Sequence, residues 1–362
     1  MPEYLADLRD VQFLLFEYLD VEKLLKYPRF QEFNREMLEM IVEESLKQAQ
    51  EIAGPLGPLG DEKGVKFEDG KVEVPPEFVE AYKLYAEAGW IAGTADPEWG
   101  GQGIPLAVGA AVSEFFQGAC FPLVSTGGLT TGAANIILTS GSEEMKSIYL
   151  EKMFSGQWAG TMCLTEPQAG SAVGDTICKA RKDGDHYRIV GTKSFITSGD
   201  HNYTENIIHM VLARTEGAPE GIKGISLFLV PKHRVNADGS IGEFNDVRAA
   251  GIEHKMGIHA SPTCTLNFGD NDDCIGYLVG EECRGITYMF QMMNEARMMV
   301  GQQALGTAGT AYLSALEYTK ERIQGVHVSQ MRNPEAPRVA IVEHPDIRRM
   351  LLMMKAFTEG MR

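Results

Sequence analysis

The chain is expected to be an α+β protein laid out as helical, then β, then helical, and three observations predict that order. Apolar residues recur at helical spacing across positions 1–156, the period falls to two across 157–280, and it returns to about 3.6 residues over 281–362. Turn signals such as Asp238-Gly239 and Arg181-Lys182-Asp183-Gly184-Asp185 punctuate the middle part, which reads as an antiparallel β domain. With 362 residues, 44% of them hydrophobic, the chain can bury a large core.

The first part predicts a helical stretch over 11–51, on which Phe13, Leu14, Phe16, Leu24, Phe30, Phe33, Met37, Ile41 and Leu46 offer apolar faces. The run Gly54-Pro55-Leu56-Gly57-Pro58-Leu59-Gly60 reads as a loop. Helix resumes over 76–88, where Phe78, Tyr82 and Tyr85 share a face, and again over 105–119 after a glycine-rich loop at 93–103. Ser142 followed by Glu143 and Glu144 is a cap with acids in the first turn, so a helix is expected over 143–154. Strands are expected at 158–164, 186–196, 207–214, 225–231 and 264–268, with 235–247 a polar surface loop. A long helix over 285–324, a connection at 325–337 and a helix over 345–362 close the chain. The methionines along those helices (Met289, Met292, Met293, Met299, Met350, Met354) serve as core packing.

Charge and composition exclude several functions. Lys plus Arg total 33 against 50 Asp plus Glu, a net charge of −17, which repels a nucleic-acid backbone. Any polyanionic ligand therefore needs a local basic patch. Six cysteines without a CxxC pair suit a reduced, cytoplasmic chain. The eight histidines show no metal-ligand spacing, and no metal site is expected. No uninterrupted apolar run reaches the roughly 18 residues of a membrane span, and the acidic N-terminus is unlike a cleavable signal.

The segment with most chemistry is Met162-Cys163-Leu164-Thr165-Glu166-Pro167-Gln168-Ala169-Gly170-Ser171. A strand runs into a turn whose hydroxyls and backbone N–H groups suit a flat, electron-accepting ring, although a plain hairpin turn uses the same residues. A second strand, ending Phe195-Ile196-Thr197-Ser198-Gly199, brings an aromatic followed by hydroxyls. With Met256-Gly257-Ile258-His259-Ala260-Ser261, Pro97-Glu98-Trp99-Gly100-Gly101-Gln102-Gly103, Gly141-Ser142-Glu143-Glu144-Met145-Lys146, Tyr149-Leu150-Glu151-Lys152 and Ser155-Gly156, the chain resembles the acyl-CoA dehydrogenase family over nearly its whole length. The N-terminal Tyr4-Leu5-Ala6-Asp7-Leu8-Arg9-Asp10 and Gln12-Phe13-Leu14-Leu15 are similar to the larger members, the branch that includes the 3-methylmercaptopropionyl-CoA dehydrogenases.

The resemblance implies an N-terminal helical domain (1–156), a central antiparallel β-barrel domain (157–280) and the start of a C-terminal helical bundle (281–362). It implies FAD as cofactor, an acyl-CoA substrate desaturated between Cα and Cβ, an electron-transfer flavoprotein as acceptor, and a homodimer or homotetramer. Thr165 would bond near the reactive edge of the flavin, with main-chain groups of Met162 and Leu164 at the pyrimidine edge. Gly170 belongs to the same turn, and Ser171 would lie between ring and substrate. Phe195, Ile196 and Thr197 would cover the other face. Phe195 stands where the family often has tryptophan, which keeps stacking and loses the indole N–H. Ala172 replaces a frequent aspartate, which puts one turn or substrate contact in doubt.

Asn294-Glu295-Ala296-Arg297 matches the family's stretch contacting acyl-CoA, which makes Asn294 and Arg297 the candidates for substrate binding. A helix-surface salt bridge is the alternative for Arg297. Arg322 and Gln324 match the segment that reaches the flavin diphosphate of a neighbouring subunit, a role suited to a planar guanidinium; an exposed helix-end arginine is the alternative. The catalytic base has no assigned residue. The family's usual glutamate would fall beyond Arg362, and the alternative position is Ala296, which accepts no proton. The chain is therefore expected to be part of a longer enzyme with little or no turnover by itself, with apolar stripes around Met350, Leu351, Met353, Met354 and Phe357 left uncovered. A native polypeptide ending at Arg362 on intact-mass measurement contradicts that expectation. Two other readings are open: a flavin-dependent monooxygenase or oxidase on the same fold, and an inactive, partner-binding fragment.

Overall fold

A computed structural model describes residues 4–362. The chain divides into two compact units. One gathers the segment up to Pro55, Leu106–Phe121 and Val300–Arg362; the other holds Leu56–Pro105 and Pro122–Met299. The helix Leu106–Ser140 contributes to both and is broken at Cys120, whose φ of −159° and ψ of 86° leave helical geometry just before Pro122. A proline removes one helical donor and restricts the backbone ahead of it.

The first unit is helical. Its N-terminal stretch is not the continuous helix expected over 11–51. A short α turn at Leu8–Gln12, capped by the Asp7 carboxylate, widens into π-type turns at Phe13–Tyr18. Asp20 then takes a left-handed conformation before the 3-10 turns of Val21–Lys26. Regular helix resumes only at Arg35–Gln48, where the Asn34 side chain accepts the Met37 N–H at 2.9 Å. Val11, Leu15 and Phe16 of the first turns and Leu38, Val42 and Leu46 of this helix are buried. Gly306 lets two helices meet backbone to backbone, since a Cβ there would lie 2.7 Å from the Glu114 carbonyl oxygen. Nearby, Arg362 grips the Glu114 carboxylate in a fork, at 2.7 and 3.1 Å. The final helix, Pro345–Met361, buries Leu351 and leaves Met350, Met353 and Phe357 exposed.

In the second unit the expected loop at 54–60 gives way to a helix, Leu56–Lys63, whose Gly60 packs so closely that a Cβ would fall 2.6 Å from the Phe78 ring. Helices Pro76–Glu87 and Glu143–Phe154 form as expected, the latter with the Ser142 hydroxyl accepting the Met145 N–H at 3.2 Å.

The β part is an eight-stranded sheet of β1 (Trp158–Cys163), β2 (Lys179–Asp183), β3 (His186–Thr197), β4 (Asn206–Thr215), β5 (Ile225–Pro231), β6 (Val247–Ile252), β7 (Thr263–Phe268) and β8 (Ile275–Leu278). Its order is β6-β7-β3-β8-β5-β4-β1, with β2 paired off that path to β3 and β4. The expectation of an antiparallel barrel is corrected: β1 and β2 both run parallel to β4, so the sheet is mixed, and no barrel forms. Period-two patterning fixes which face a residue occupies but carries nothing about strand direction. The stretch 235–247 is also more ordered than expected, because Ile241–Phe244 pairs with His233–Val235 as a hairpin.

Trp158, Met210, Leu212, Leu227, Leu229 and Met289 are buried on one side of the sheet, and Ile189, Val211, Phe228, Val230, Leu266 and Phe268 on the other. The alternation along β4 and β5 feeds two cores at once, as expected for a sheet covered on both faces. The helix Leu106–Ser140 has the length and composition to cross a membrane, which sequence inspection missed because Gly, Ser and Thr interrupt it. Of its most apolar window, 56% is buried inside the protein.

Candidate functional site

The two strand ends singled out in the sequence lie side by side in the second unit. β1 stops at Cys163, and Glu166 and Ala169 exchange backbone bonds at 3.1 and 3.0 Å, which closes a tight turn over Pro167 and Gln168. The Thr165 carbonyl accepts the Ser194 N–H of β3 at 2.9 Å, which ties the turn to the second strand. Thr165 and Thr197 are half-buried, while Gly170 and Ser171 stand exposed on the rim. Met162 and Leu164 are also half-buried and pack on the core beneath.

Phe195 owes its position to a bulge. Leu266 pairs with Lys193 and Cys264 with Ile196, so β3 carries one residue more than β7 between those pairs. Phe195 absorbs the difference at a φ of +60°, and its ring is turned outward, 63% exposed. A left-handed phenylalanine is strained, and an exposed one gains little from burial. Both facts point to a ring presented for a ligand to stack on. Ile196 does the opposite: its side chain is buried in the core, which leaves only its backbone for a ring contact.

Beneath the turn lies a buried ion pair that the sequence reading did not single out. Lys193 Nζ donates to Glu166 Oε1 at 2.8 Å and to the Leu164 carbonyl at 3.1 Å, and neither charged side chain exceeds 1% exposure. Glu166 also accepts the N–H groups of Ile177 (2.9 Å) and Cys178 (3.2 Å) and the Gln168 amide (2.6 Å). Burial would raise this carboxyl, but the Lys193 charge and these hydrogen bonds outweigh it and hold it below its ordinary value. Glu166 is thus a saturated structural carboxylate, ill suited to take a proton. The strand-end thiols are inert as well, since burial pushes Cys163 up to about 12 and Cys178 to about 11. The sequence shows only a lysine two residues before an aromatic; that it meets Glu166 is decided by the fold.

Gly170 bears on whether a cofactor fits. Its φ is not positive, and a Cβ added there would meet nothing within 4 Å. Neither conformation nor packing requires glycine, so the open space beside the turn is available to something from outside the chain. With the presented Phe195 ring and the Thr165, Ser171 and Thr197 hydroxyls, that space suits a flat heteroaromatic ring such as a flavin's.

The remaining candidates lie apart from this turn in sequence. Arg297 donates to Asn294 Oδ1 at 2.7 Å within one helical turn, and its guanidinium is 5.6 Å from the Phe290 ring centroid. Both Asn294 and Arg297 are exposed. Glu295 faces the helix segment that follows Pro122, accepting from Asn135 Nδ2 at 3.1 Å, and burial raises its carboxyl. Arg322 and Gln324 belong to the helical unit. They lie past the end of the long helix at Glu321, not within it, because the chain turns there into the short strand Ile323–Val326. Both are exposed, and Arg322 Nη2 reaches Gln324 Oε1 at 3.3 Å.

This fold and turn define a class of protein in which helical segments flank a mixed β sheet. Residues 64–157 match the acyl-CoA dehydrogenase N-terminal domain and 161–271 the acyl-CoA dehydrogenase middle domain. The chain belongs to the acyl-CoA dehydrogenase family. It is 41% identical to a butyryl-CoA dehydrogenase of Syntrophomonas wolfei and 41% identical to the 3-methylmercaptopropionyl-CoA dehydrogenase of Ruegeria pomeroyi, over 99% of its own length in each case. It spans 60% of the length of each of these relatives. Among solved structures it is similar to an acyl-CoA dehydrogenase from Bacillus anthracis complexed with FAD, at 25% identity and a TM-score of 0.71, with 90% of this chain and 49% of that one covered.

Proposed function

We propose that this chain holds FAD and an acyl-CoA thioester for α,β-desaturation, with electrons leaving to an electron-transfer flavoprotein. The observation that carries the reading is the Ser194–Thr165 bond, which sets the donor-rich turn beside the outward Phe195 ring. Met162, Leu164 and Thr165 would meet the ring's polar edge, Phe195 and Thr197 would cover a face, and Gly170 and Ser171 would leave room at the rim. Bound FAD supplies a hydride acceptor that no side chain provides.

The chain's own part is to bind, orient and keep water from the slot. On a surface of net charge −17, an anionic acyl-CoA needs local cations. Arg297 is suited to meet its phosphates near Asn294. Arg322 is suited to the diphosphate of FAD in a second copy of the chain, which favours a homo-oligomer. Six cysteines with no CxxC pair among them support a reducing, cytoplasmic setting. The acceptor of the α-proton is assigned to neither Glu166, which is saturated, nor Ala296, which has no acceptor.

A second reading is a flavin oxidase or monooxygenase on the same fold, which passes its electrons to oxygen. Anaerobic addition of a panel of acyl-CoAs to the FAD-loaded protein tests the pair. Bleaching of the flavin bands supports desaturation. Rapid reoxidation of the bleached flavin by oxygen, with no other acceptor present, supports the oxidase reading and overturns the first.

A further inference from the structure

We propose that Lys193, clamped by Glu166, is a positioning residue that aims and polarises the Leu164–Thr165 peptide toward the flavin and so raises its affinity for electrons. This inference rests on the FAD reading above. The geometry is that of a single peptide plane held from behind. Lys193 Nζ binds the Leu164 carbonyl oxygen at 3.1 Å, and in a trans peptide the N–H on the same plane points the opposite way. That N–H belongs to Thr165, so an ammonium under the turn fixes the direction of a donor over it.

A cation on a carbonyl also strengthens the N–H at the other end of the amide, because hydrogen bonds in a chain polarise one another in a low-dielectric interior. A stronger donor stabilises the reduced ring, which carries more negative charge, more than the oxidised one. Glu166 keeps the ammonium in place, and its other bonds, to Ile177, Cys178 and Gln168, anchor the clamp to the neighbouring loop.

Burying two charges costs several kcal/mol, and apolar residues of similar volume often replace such pairs without loss. Here the lysine spends one of its three donors on the carbonyl of the turn's own peptide. Thr165 is further pinned through its own carbonyl by Ser194 N–H, so both peptide planes flanking its Cα are held.

The test uses the double variant Lys193→Met with Glu166→Gln, which removes both charges and keeps the volume. The FAD dissociation constant and the two-electron midpoint potential are read by titration and dye equilibration against the unaltered protein. The expected result is weaker FAD binding by roughly tenfold and a potential lower by about 30 mV, the equivalent of a tenfold change for two electrons. A folded variant with the same affinity and potential overturns the positioning role while leaving the FAD reading intact. If the variant does not fold, amide exchange of the unaltered protein decides. Protection of the Thr165 amide on adding FAD supports the proposal, and unchanged exchange there overturns it. An unaltered protein that binds no FAD at all overturns the cofactor reading, and this inference with it.

Discussion

Glu166, in the turn after β1, and Phe195, on the bulge of β3, are employed very differently. Glu166 is buried and bonded to four partners, so Glu166→Ala leaves Lys193 as an uncompensated buried charge. That change is expected to lower unfolding free energy by about 3–5 kcal/mol, read as a shifted urea midpoint at constant slope. Phe195, mostly exposed, contributes little to the core, and Phe195→Ala is expected to move stability by no more than about 0.5 kcal/mol. The same variant should weaken FAD binding about tenfold through lost stacking. Unchanged FAD affinity in Phe195→Ala removes the stacking role. The sequence showed the aromatic but not its outward aim, because the bulge arises from pairing with Cys264 and Leu266, some 70 residues away.

At the scale of elements, the helix Glu143–Phe154 and strand β1 are held by local and long-range devices respectively. Ser142 caps the helix, so Ser142→Ala should cost about 1 kcal/mol in thermal or urea unfolding. β1 needs Gly160, where a Cβ would lie 2.6 Å from the Ala133 Cβ and whose N–H donates to Thr130 Oγ1 at 3.0 Å. Gly160→Val is expected to overpack this contact at a cost of about 1–3 kcal/mol, and a variant as stable as the parent would refute the close fit. The cap was legible because it is written in four consecutive residues. The parallel pairing of β1 with β4 was not, because the partner strand lies more than forty residues downstream and either direction satisfies the same alternation.

Over the whole molecule, stability should depend on pH through buried groups that the fold keeps neutral or paired. Burial pushes the imidazoles of His201 and His209 from 6.5 down to about 3. The unfolded chain binds those two protons below pH 6.5 while the folded chain refuses them, so unfolding takes up protons. The stability is therefore fully present above 6.5 and is lost as pH falls toward 3, each histidine contributing at most about 1.4 kcal/mol per pH unit. Glu166, held below its ordinary 4.5, adds loss of the same sign at still lower pH. The urea midpoint should fall on going from about pH 7 to about pH 5, and less steeply in His209→Gln, which can keep the bond to Thr161. A flat profile over that interval contradicts the account.

By itself the sequence determined the alternation of helical and β parts, the helix boundaries marked by caps, and the two strand ends that carry the family's turn. Those features follow from periodicity and from chemistry confined to a few adjacent residues. Only the tertiary structure decided that the sheet is mixed, that the N-terminal helix is broken at Asp20, that Phe195 faces out while Ile196 faces in, and that Lys193 reaches under the turn. Each of these depends on which distant strand or side chain occupies the neighbouring space, and packing of that kind is fixed by the folded chain as a whole.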